Sequence, residues 1–411
     1  MLRSARDKSS RVLDGRAKAA KAGHDGTMAA RTRRAKPAAD PASDDSAAEL
    51  GGILTIDLAA LVANWRELKR RAAPAACAAV VKADGYGCGL EPVATALAKA
   101  GCTAFFVANL PEARRVRDIA PDAAIYVLTM LPGTLASFAQ SNLRPVIGSV
   151  EELAEWEAFR AGSDWHGTAA LHVDTGINRL GLSPEDVAQL DPKETGRSAG
   201  LDLVMSHFAC SEEPSHPLNA RQMAAFRHVR ELFPGVKASL ANSSGIFLGP
   251  DAHHDLVRPG VALYGANPTP GHLNLMRPVV RLEGRIAQVR EVQVGDTVGY
   301  GAAWTARRPS RLAIVAIGYA DGFLRAASAT DTKPGAEAIV AAHPCPLAGR
   351  VSMDLLAVDV TDLPEKTPAR GDLVALLNED IGVDDLASHA GTIAYEVLTS
   401  LGRRYRRVYK D

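Results

Sequence analysis

The stretch Ala-Val-Val-Lys-Ala-Asp-Gly-Tyr-Gly, residues 79–87, joins an apolar strand pattern to a lysine and then to a glycine-rich turn. A helical pattern follows at 91–100, so the segment reads as one strand–turn–helix unit. Lys82 stands where a buried strand comes to an end, and desolvation there favours the neutral, nucleophilic amine. On local sequence alone, Lys82 could also be an ordinary surface lysine at a strand end. The rest of the chain is needed to distinguish a reactive lysine from a surface one.

The same unit repeats along the first two thirds of the chain. Strand patterns occupy residues 76–84, 102–109, 123–130, 143–149, 168–176, 201–209, 237–243 and 255–262. Helical patterns fill most of the gaps, for example at 111–119, 150–161 and 218–233. Eight near-continuous apolar strands with helices between them predict an α/β fold, a closed (β/α)8 TIM-type barrel. An open doubly wound sheet is the structural alternative.

The periodicity changes near residue 279. Short strand patterns follow at 282–294, 311–317, 338–341, 355–360 and 372–377, and Gly, Pro and Asp turns separate them. We therefore predict a barrel over 51–278 and a C-terminal, mainly β domain over 279–411, which ends in a helix at 393–401 and a basic tail at 403–410. A strand at 51–57 precedes a helix at 58–71 and is a candidate member of the β domain.

Composition narrows the class of protein. Lys plus Arg and Asp plus Glu both total 47, so no overall charge favours nucleic acid or an anionic membrane surface as a partner. The chain has no apolar run of about 18 residues and no apolar signal core at its start, so we expect no membrane insertion. Its five cysteines are scattered without the close pairs of a metal or redox site, which favours free thiols in the cytoplasm and no bound metal.

Residues 1–50 differ from the rest of the chain. They are rich in Ala, and through Lys36 they contain eleven Lys or Arg against three Asp. Such a composition cannot bury enough apolar surface to offset the entropy of ordering, so we predict a disordered extension. We expect a non-essential segment or a start codon assigned too early; contact with nucleic acid and a targeting role are the alternatives.

Polar residues interrupt the apolar runs where the predicted strands meet the following loops, which is the active face of such barrels. They are Lys82, Asp174, Arg179, His207, Asn242, Ser243 and Arg258. The segments 241–245 and 258–261 offer hydroxyls and backbone N–H groups of the kind that bind phosphate. A lysine able to form a Schiff base together with a phosphate site points to pyridoxal phosphate as the cofactor.

At this point the sequence resembles the alanine racemases, a family of pyridoxal-phosphate-dependent barrel enzymes. The resemblance runs from about residue 52 to 408 and is carried by nine motifs in order. These are AVVKADGYGCG (79–89), HVDTGINRLG (172–181), MSHFA (205–209), ANSSG (241–245), VRPGVALYG (257–265), VGYGAAW (298–304), IGYADG (317–322), GRVSMD (349–354) and TIAYEVL (392–398).

The resemblance implies a cytoplasmic isomerase that interconverts L- and D-alanine and supplies D-alanine for peptidoglycan. It further implies a homodimer with shared active sites. Lys82 would form the Schiff base with the cofactor and act as one acid/base, and Tyr300, from the β domain of a partner subunit, would act on the opposite face. Two bases on opposite faces suit a racemase, because inversion removes a proton from one side and delivers it to the other.

Further roles follow from the same resemblance. The phosphate would be held by Tyr86, Ser243, Gly260, Val261 and Tyr395. Arg258 would bond the pyridine nitrogen, buttressed by His207, and keep that nitrogen unprotonated because a guanidinium hardly deprotonates. The substrate carboxylate would lie near Arg179 and near Met353 and Asp354 of the partner, with Tyr319 lining the entrance.

Two positions depart from the family pattern. Many members have a carbamylated lysine where this chain has His172, and it orients the arginine that matches Arg179. Histidine cannot form a carbamate, so Asp174 or another anion would have to hold that arginine. Cys88 stands where the family often has His, and we interpret it as a small buried thiol.

Three other functions compete with alanine racemisation. The change at His172 leaves room for a broad-specificity amino-acid racemase. A basic amino-acid decarboxylase would place a carboxylate, not Arg258, at the pyridine nitrogen. A non-catalytic cofactor-binding barrel would lack the β domain that carries Tyr300.

Overall fold

The computed structural model describes residues 49–411, which belong to one compact unit. The predicted disordered extension therefore lies outside the described residues, apart from its last two positions. Among residues 49–411, no helix is long and apolar enough to cross a membrane.

The barrel is formed by strands β2 to β10 and by the helices between them. After β1 (Gly52–Asp57) and α1 (Leu58–Ala72), the elements in chain order are β2 (Ala76–Cys77), β3 (Ala79–Val80), the helical turn α2 (Lys82–Tyr86), α3 (Leu90–Lys99), β4 (Ala104–Val107), α4 (Leu110–Ile119), β5 (Ala124–Val127), α5 (Leu135–Gln140), β6 (Arg144–Ile147), α6 (Val150–Ala161), β7 (Ala169–His172), α7 (Pro184–Gln189), α8 (Pro192–Ser198), β8 (Leu201–Met205), α9 (Pro217–Leu232), β9 (Lys237–Ser239) and β10 (Leu256–Val257).

Backbone hydrogen bonds close these strands into a ring. Strands β3 to β9 pair in sequence order, every pair parallel, and β10 pairs in parallel with β2. The amide of Arg258 donates to the carbonyl of Ala241 (2.9 Å), and the amide of Val80 donates to the carbonyl of Pro259 (3.0 Å). The eighth strand thus bridges the seventh and the first. The predicted (β/α)8 barrel is confirmed, and the open sheet is excluded because it would leave these edges unpaired.

Helix α1 shows how sequence pattern and packing agree. The Asp57 carboxylate accepts the amide of Ala60 (2.6 Å) and caps the helix. Leu61, Trp65 and Leu68 recur at helical spacing, and each is at most 1% exposed. The indole of Trp65 donates to the carbonyl of Cys77 (3.3 Å), so this helix is fixed to the first barrel strands.

The C-terminal part of the chain is mainly β. Its elements are β11 (Val280–Val292), β12 (Thr297–Val298), β13 (Trp304–Thr305), β14 (Ser310–Val315), β15 (Glu337–Val340), β16 (His343–Pro346), β17 (Leu356–Asp359), β18 (Leu373–Leu377), α10 (Val383–Ala390), α11 (Ala394–Ser400) and β19 (Arg406–Lys410). The long strand β11 pairs with β1, β14 and β18. Strand β1 therefore pairs with this sheet, not with the barrel.

Three local features differ from the sequence predictions. The strand predicted at 76–84 ends at Val80, because the backbone turns left-handed at Ala83. The predicted basic tail contains a strand, β19, which pairs in parallel with β1. The helix α10 was not predicted. Short elements of this kind depend on tertiary partners more than on their own periodicity.

We expect Trp65→Ala to lower the free energy of unfolding by about 3–5 kcal/mol, because it leaves a large cavity where α1 meets the barrel. Urea denaturation would measure this loss. Leu273→Ala is the control, since Leu273 is 83% exposed and its truncation should change stability by less than about 0.5 kcal/mol. Equal effects of the two changes would contradict the assignment of Trp65 to the core.

Candidate active site

The turn after β3 presents Lys82 at the mouth of the barrel. Residues 83–87 all have positive φ, between 52° and 77°, and form a left-handed turn. Three of these five residues are not glycine, and each costs about 1–2 kcal/mol in this conformation. A turn of this kind persists only where its surroundings over-determine it, and such strain is concentrated at functional sites.

Tight packing surrounds the end of the turn. A Cβ on Gly87 would lie 2.1 Å from the carbonyl oxygen of Leu398, so only glycine allows helix α11 to approach this closely. The ring of Tyr86 stacks on Tyr264 with 4.6 Å between centroids, and Tyr86 is 5% exposed. The turn therefore fixes Lys82 at one end and a buried tyrosine at the other.

A cavity of about 860 Å³ opens at the carboxyl ends of the strands. Ten of the predicted site residues line it together: Lys82, Tyr86, Arg179, His207, Asn242, Ser243, Arg258, Gly260, Val261 and Tyr395. Barrel closure brings most of them together, because strand ends far apart in sequence meet at one rim. Tyr395 is contributed by helix α11 of the C-terminal part. Among residues 49–411, no group of three or more His, Cys, Asp or Glu side chains is arranged to hold a metal ion.

One corner of the cavity has the form of a phosphate cradle. The Ser243 hydroxyl accepts the amides of Gly260 (2.9 Å) and Ala262 (3.3 Å), which leaves its own hydrogen free to donate. A Cβ on Gly260 would lie 2.3 Å from the Tyr86 hydroxyl oxygen, so glycine keeps the backbone close to that hydroxyl. Two hydroxyls around a bare backbone segment suit the phosphate of pyridoxal phosphate.

Arg258 is anchored inside the barrel. Its guanidinium donates to the carbonyl of Ser206 (2.6 Å), and Nη2 lies 3.4 Å from Nδ1 of His207. Burial lowers the pKa of Arg258 to about 9, so the group stays charged near neutral pH. Burial, with Arg258 and Arg179 nearby, also holds the pKa of His207 well below its usual range, so His207 faces the arginine as a neutral ring.

His172 and Arg179 do not form the anion-held pair that the family pattern has. Asp174 is occupied, because its Oδ1 accepts the amides of Gly176 (2.8 Å) and Ile177 (2.9 Å). Within the described part of the chain, Arg179 is exposed and forms no ion pair with a carboxylate. Nε2 of the buried His172 has no hydrogen-bond partner among residues 49–411. The alternative in which Asp174 holds Arg179 is therefore not the arrangement found.

Tyr300, Tyr319, Met353 and Asp354 lie apart from this cavity, on loops of the β domain. Tyr300 is 70% exposed and Met353 is 53% exposed. The loops that carry Tyr319 and Met353 contact each other, since the amide of Tyr319 donates to the carbonyl of Ser352 (3.0 Å). Asp354 pairs with Arg404 (2.9 Å). A single chain thus does not bring Tyr300 to Lys82.

The structure also adds residues that the sequence reasoning missed. Glu212, Thr392 and Glu396 line the rim of the cavity, and Glu112 contacts the lysine turn from helix α4. The only sequence signal for Glu112 was its place three residues after Asn109, which reads as an ordinary helix start.

Burial of His172 should make the stability of the folded chain depend on pH. Burial, and then the positive charge of Arg258, lowers the pKa of His172 from 6.5 to about 4. Between these two pH values His172 is protonated in the unfolded chain but neutral in the folded chain. The free energy of unfolding is therefore not reduced by His172 above about pH 6.5. It falls as the pH is lowered towards 4, by at most about 3 kcal/mol.

We expect His172→Gln to flatten the dependence of the unfolding free energy on pH over this range, measured by urea denaturation at several pH values. His228→Gln is the matched control, because the His228 side chain is 74% exposed. An unchanged pH slope for His172→Gln would contradict the assignment.

Comparisons with known proteins agree with this geometry. The family model "Alanine racemase, N-terminal domain" matches residues 56–268, and "Alanine racemase, C-terminal domain" matches residues 279–409. Alanine racemase from Methylobacterium sp. (strain 4-46) is 51% identical over 362 residues, covering 88% of this chain and 98% of that protein.

Solved structures resemble the chain as well. The crystal structure of alanine racemase from Bartonella henselae, with covalently bound pyridoxal phosphate, has a TM-score of 0.82 and 39% identity over 88% of this chain and 99% of that one. Biosynthetic alanine racemase from Pseudomonas aeruginosa has a TM-score of 0.80 and 38% identity, covering 88% of this chain and 100% of that one. A barrel that gathers the lysine, cradle and arginine, followed by a β domain with the matching motifs, makes this chain a member of the alanine racemase family.

Proposed function

We propose that this chain interconverts L- and D-alanine with pyridoxal phosphate as its cofactor, using Lys82 and Tyr300 of the partner subunit as the two bases. The observation that carries the proposal is the gathering of Lys82, the Ser243–Tyr86 cradle and Arg258 around one cavity. Pyridoxal phosphate supplies an aldehyde that bonds to amines and a ring that acidifies the α-proton of a bound amino acid.

Lys82 is suited to exchange a proton. Burial, and then the positive charge of Arg179, lowers its pKa, which increases the fraction of neutral amine near physiological pH. A neutral amine accepts a proton from the α-carbon, and the ammonium returns one. Lys82 would exchange a proton with one face of that carbon, and the phenol of the partner's Tyr300 would exchange a proton with the opposite face.

The residues that line the cavity would hold the cofactor and the substrate. Ser243 and Tyr86 would donate to the phosphate, and Gly260 and Val261 would approach it by their backbone, with Tyr395 at the rim. Arg258 would point at the ring nitrogen with His207 behind it. Arg179 would contact the substrate carboxylate, together with Met353 and Asp354 of the partner subunit, and Tyr319 would line the entrance.

A homodimer would complete the site, and exposed apolar side chains support it. On the β domain these include Tyr300, Met353, Leu355 and Tyr319; at the cavity they include Leu180 (49% exposed) and Ile393 (61% exposed). Burying two such patches against each other removes apolar surface from water, which is the main driving force of association. We propose head-to-tail exchange of catalytic groups in such a dimer.

In a cytoplasmic setting, the D-alanine produced would supply peptidoglycan synthesis. A broad-specificity amino-acid racemase is the second candidate, since Arg179 has no carboxylate partner among residues 49–411 and its position is less constrained. Racemisation rates with alanine, serine, lysine and arginine distinguish the two: alanine should be faster by more than an order of magnitude if the first proposal holds.

The central test is exchange of solvent deuterium into the α-position of alanine by the cofactor-loaded enzyme. We expect Tyr300→Phe to keep the visible absorbance of the bound cofactor and to lose most turnover, about 10²-fold or more, because one proton donor is missing. A protein that shows no exchange at all, or a Tyr300→Phe variant with undiminished turnover, would contradict the two-base proposal.

Mixed dimers test whether the site is shared. We expect Lys82→Ala and Tyr300→Phe, each inactive alone, to regain about a quarter of wild-type activity when refolded together, since half of the dimers would carry one intact site of two. The measurement is racemase activity per mole of protein across mixing ratios. Activity that never rises above that of the separate variants would show that both groups belong to one chain.

A further inference from the structure

A buried carboxylate binds the backbone of the left-handed turn that carries Lys82. Glu112, in helix α4, is 9% exposed, and its Oε1 accepts the amides of Ala83 (2.7 Å) and Asp84 (3.4 Å). These are the two peptide groups directly after Lys82. Its Oε2 accepts the amide of Ala108 (2.9 Å) at the end of β4. One carboxylate therefore ties the start of the lysine turn to the neighbouring strand.

The charge of Glu112 is satisfied by these amides alone. Within residues 49–411, no Lys, Arg or His forms an ion pair with it. A buried carboxylate without a cation is costly unless donors surround it, and three backbone N–H groups meet that need. The carboxylate is thus oriented towards the amides of the turn and of the strand end.

A comparison with Glu152 shows which contacts of Glu112 are shared by both glutamates and which are made by Glu112 alone. Glu152 has the equivalent place, third in helix α6, and its Oε2 accepts the amide of Gly148 (2.6 Å) at the end of β6. Ser149 caps that helix as Asn109 caps α4. A glutamate that reaches back to the strand end is thus a recurring helix-start device in this barrel. The additional bonds to Ala83 and Asp84 belong to Glu112 only.

Other contacts brace the later part of the turn. Arg115, from the next turn of α4, donates to the Asp84 carboxylate (2.7 Å), and Arg407 of strand β19 donates to the carbonyl of Gly87 (2.7 Å). These bonds hold the middle and the end of the turn. Glu112 is the side chain that binds the peptide directly after Lys82. The residue before Lys82 is held by the backbone, since the amide of Val81 donates to the carbonyl of Phe106 (3.0 Å).

We propose that Glu112 is a positioning residue for Lys82: its carboxylate fixes the amides of Ala83 and Asp84 and so aims the lysine amine into the cavity. The inference rests on the proposed role of Lys82 as the residue that bonds the cofactor and moves protons. Glu112 also places a negative charge near the amine, opposing the effects of burial and of Arg179.

The informative variant is Glu112→Gln. It keeps the size of the side chain and one amide acceptor, but its NH2 group would face a backbone N–H, and the charge is lost. We expect kcat to fall about 10- to 100-fold with less than about a threefold change in KM for alanine, because misplacement of a reacting group acts on the chemical step. In a spectrophotometric pH titration of the holoenzyme, the apparent pKa of the lysine–cofactor group should shift down.

Glu152→Gln is the matched control, with the same change at the same helix position. It should keep the wild-type kcat and titration curve even if its thermal midpoint falls. Glu112→Asp should recover part of kcat, because a shorter carboxylate can still accept from the turn.

The outcomes separate the two proposals. A holoenzyme with wild-type sequence that does not exchange the α-proton of alanine would overturn the proposed function itself. An active wild type beside a Glu112→Gln variant with unaltered kcat and titration would overturn only the positioning role. A loss that merely parallels the drop in thermal midpoint, and matches that of Glu152→Gln, would do the same.

Discussion

Closure of the barrel is the constraint on which the site depends. The amide of Val80 bonds to the carbonyl of Pro259, and this joins the first strand to the segment after the eighth. Lys82 follows one partner of that bond by two residues, and Gly260 follows the other directly. The reactive amine and the phosphate cradle are therefore neighbours because the ring closes, although most of the barrel separates them along the chain.

Desolvation explains the chemistry of the resulting cavity. Burial lowers the pKa values of Lys82, His172 and His207, and the arginines nearby lower them further. The histidines are thereby kept neutral, and the amine is moved towards its basic form. Arg258 remains a cation since carbonyl oxygens accept its N–H groups. The cavity thus combines fixed positive charge with neutral bases, which suits a phosphorylated cofactor and an amino-acid carboxylate.

The barrel and the β domain contribute differently to the proposed active site. The barrel gathers the lysine, cradle and arginine within one subunit, whereas the β domain exposes its tyrosine and methionine loops. The strand β1 and the C-terminal strand β19 both belong to the β domain sheet, and Arg407 reaches from there to the lysine turn. The sheet of the β domain is therefore bonded directly to the end of the turn that carries Lys82.

Sequence periodicity alone predicted eight barrel strands, the mainly β C-terminal part and the helices α1 and α6, because long apolar repeats report burial directly. It left an open sheet as the alternative, and the hydrogen bonds that close the ring excluded that alternative. The ordered motifs indicated the family and predicted which residues line the cavity. Only the tertiary structure decided where the first strand stops, because a left-handed turn at Ala83 depends on Glu112, Arg115 and Arg407, which come from distant elements. It likewise decided that Asp174 caps its own loop and forms no ion pair with Arg179, since an aspartate readily accepts hydrogen bonds from backbone amides two and three residues ahead, here Gly176 and Ile177.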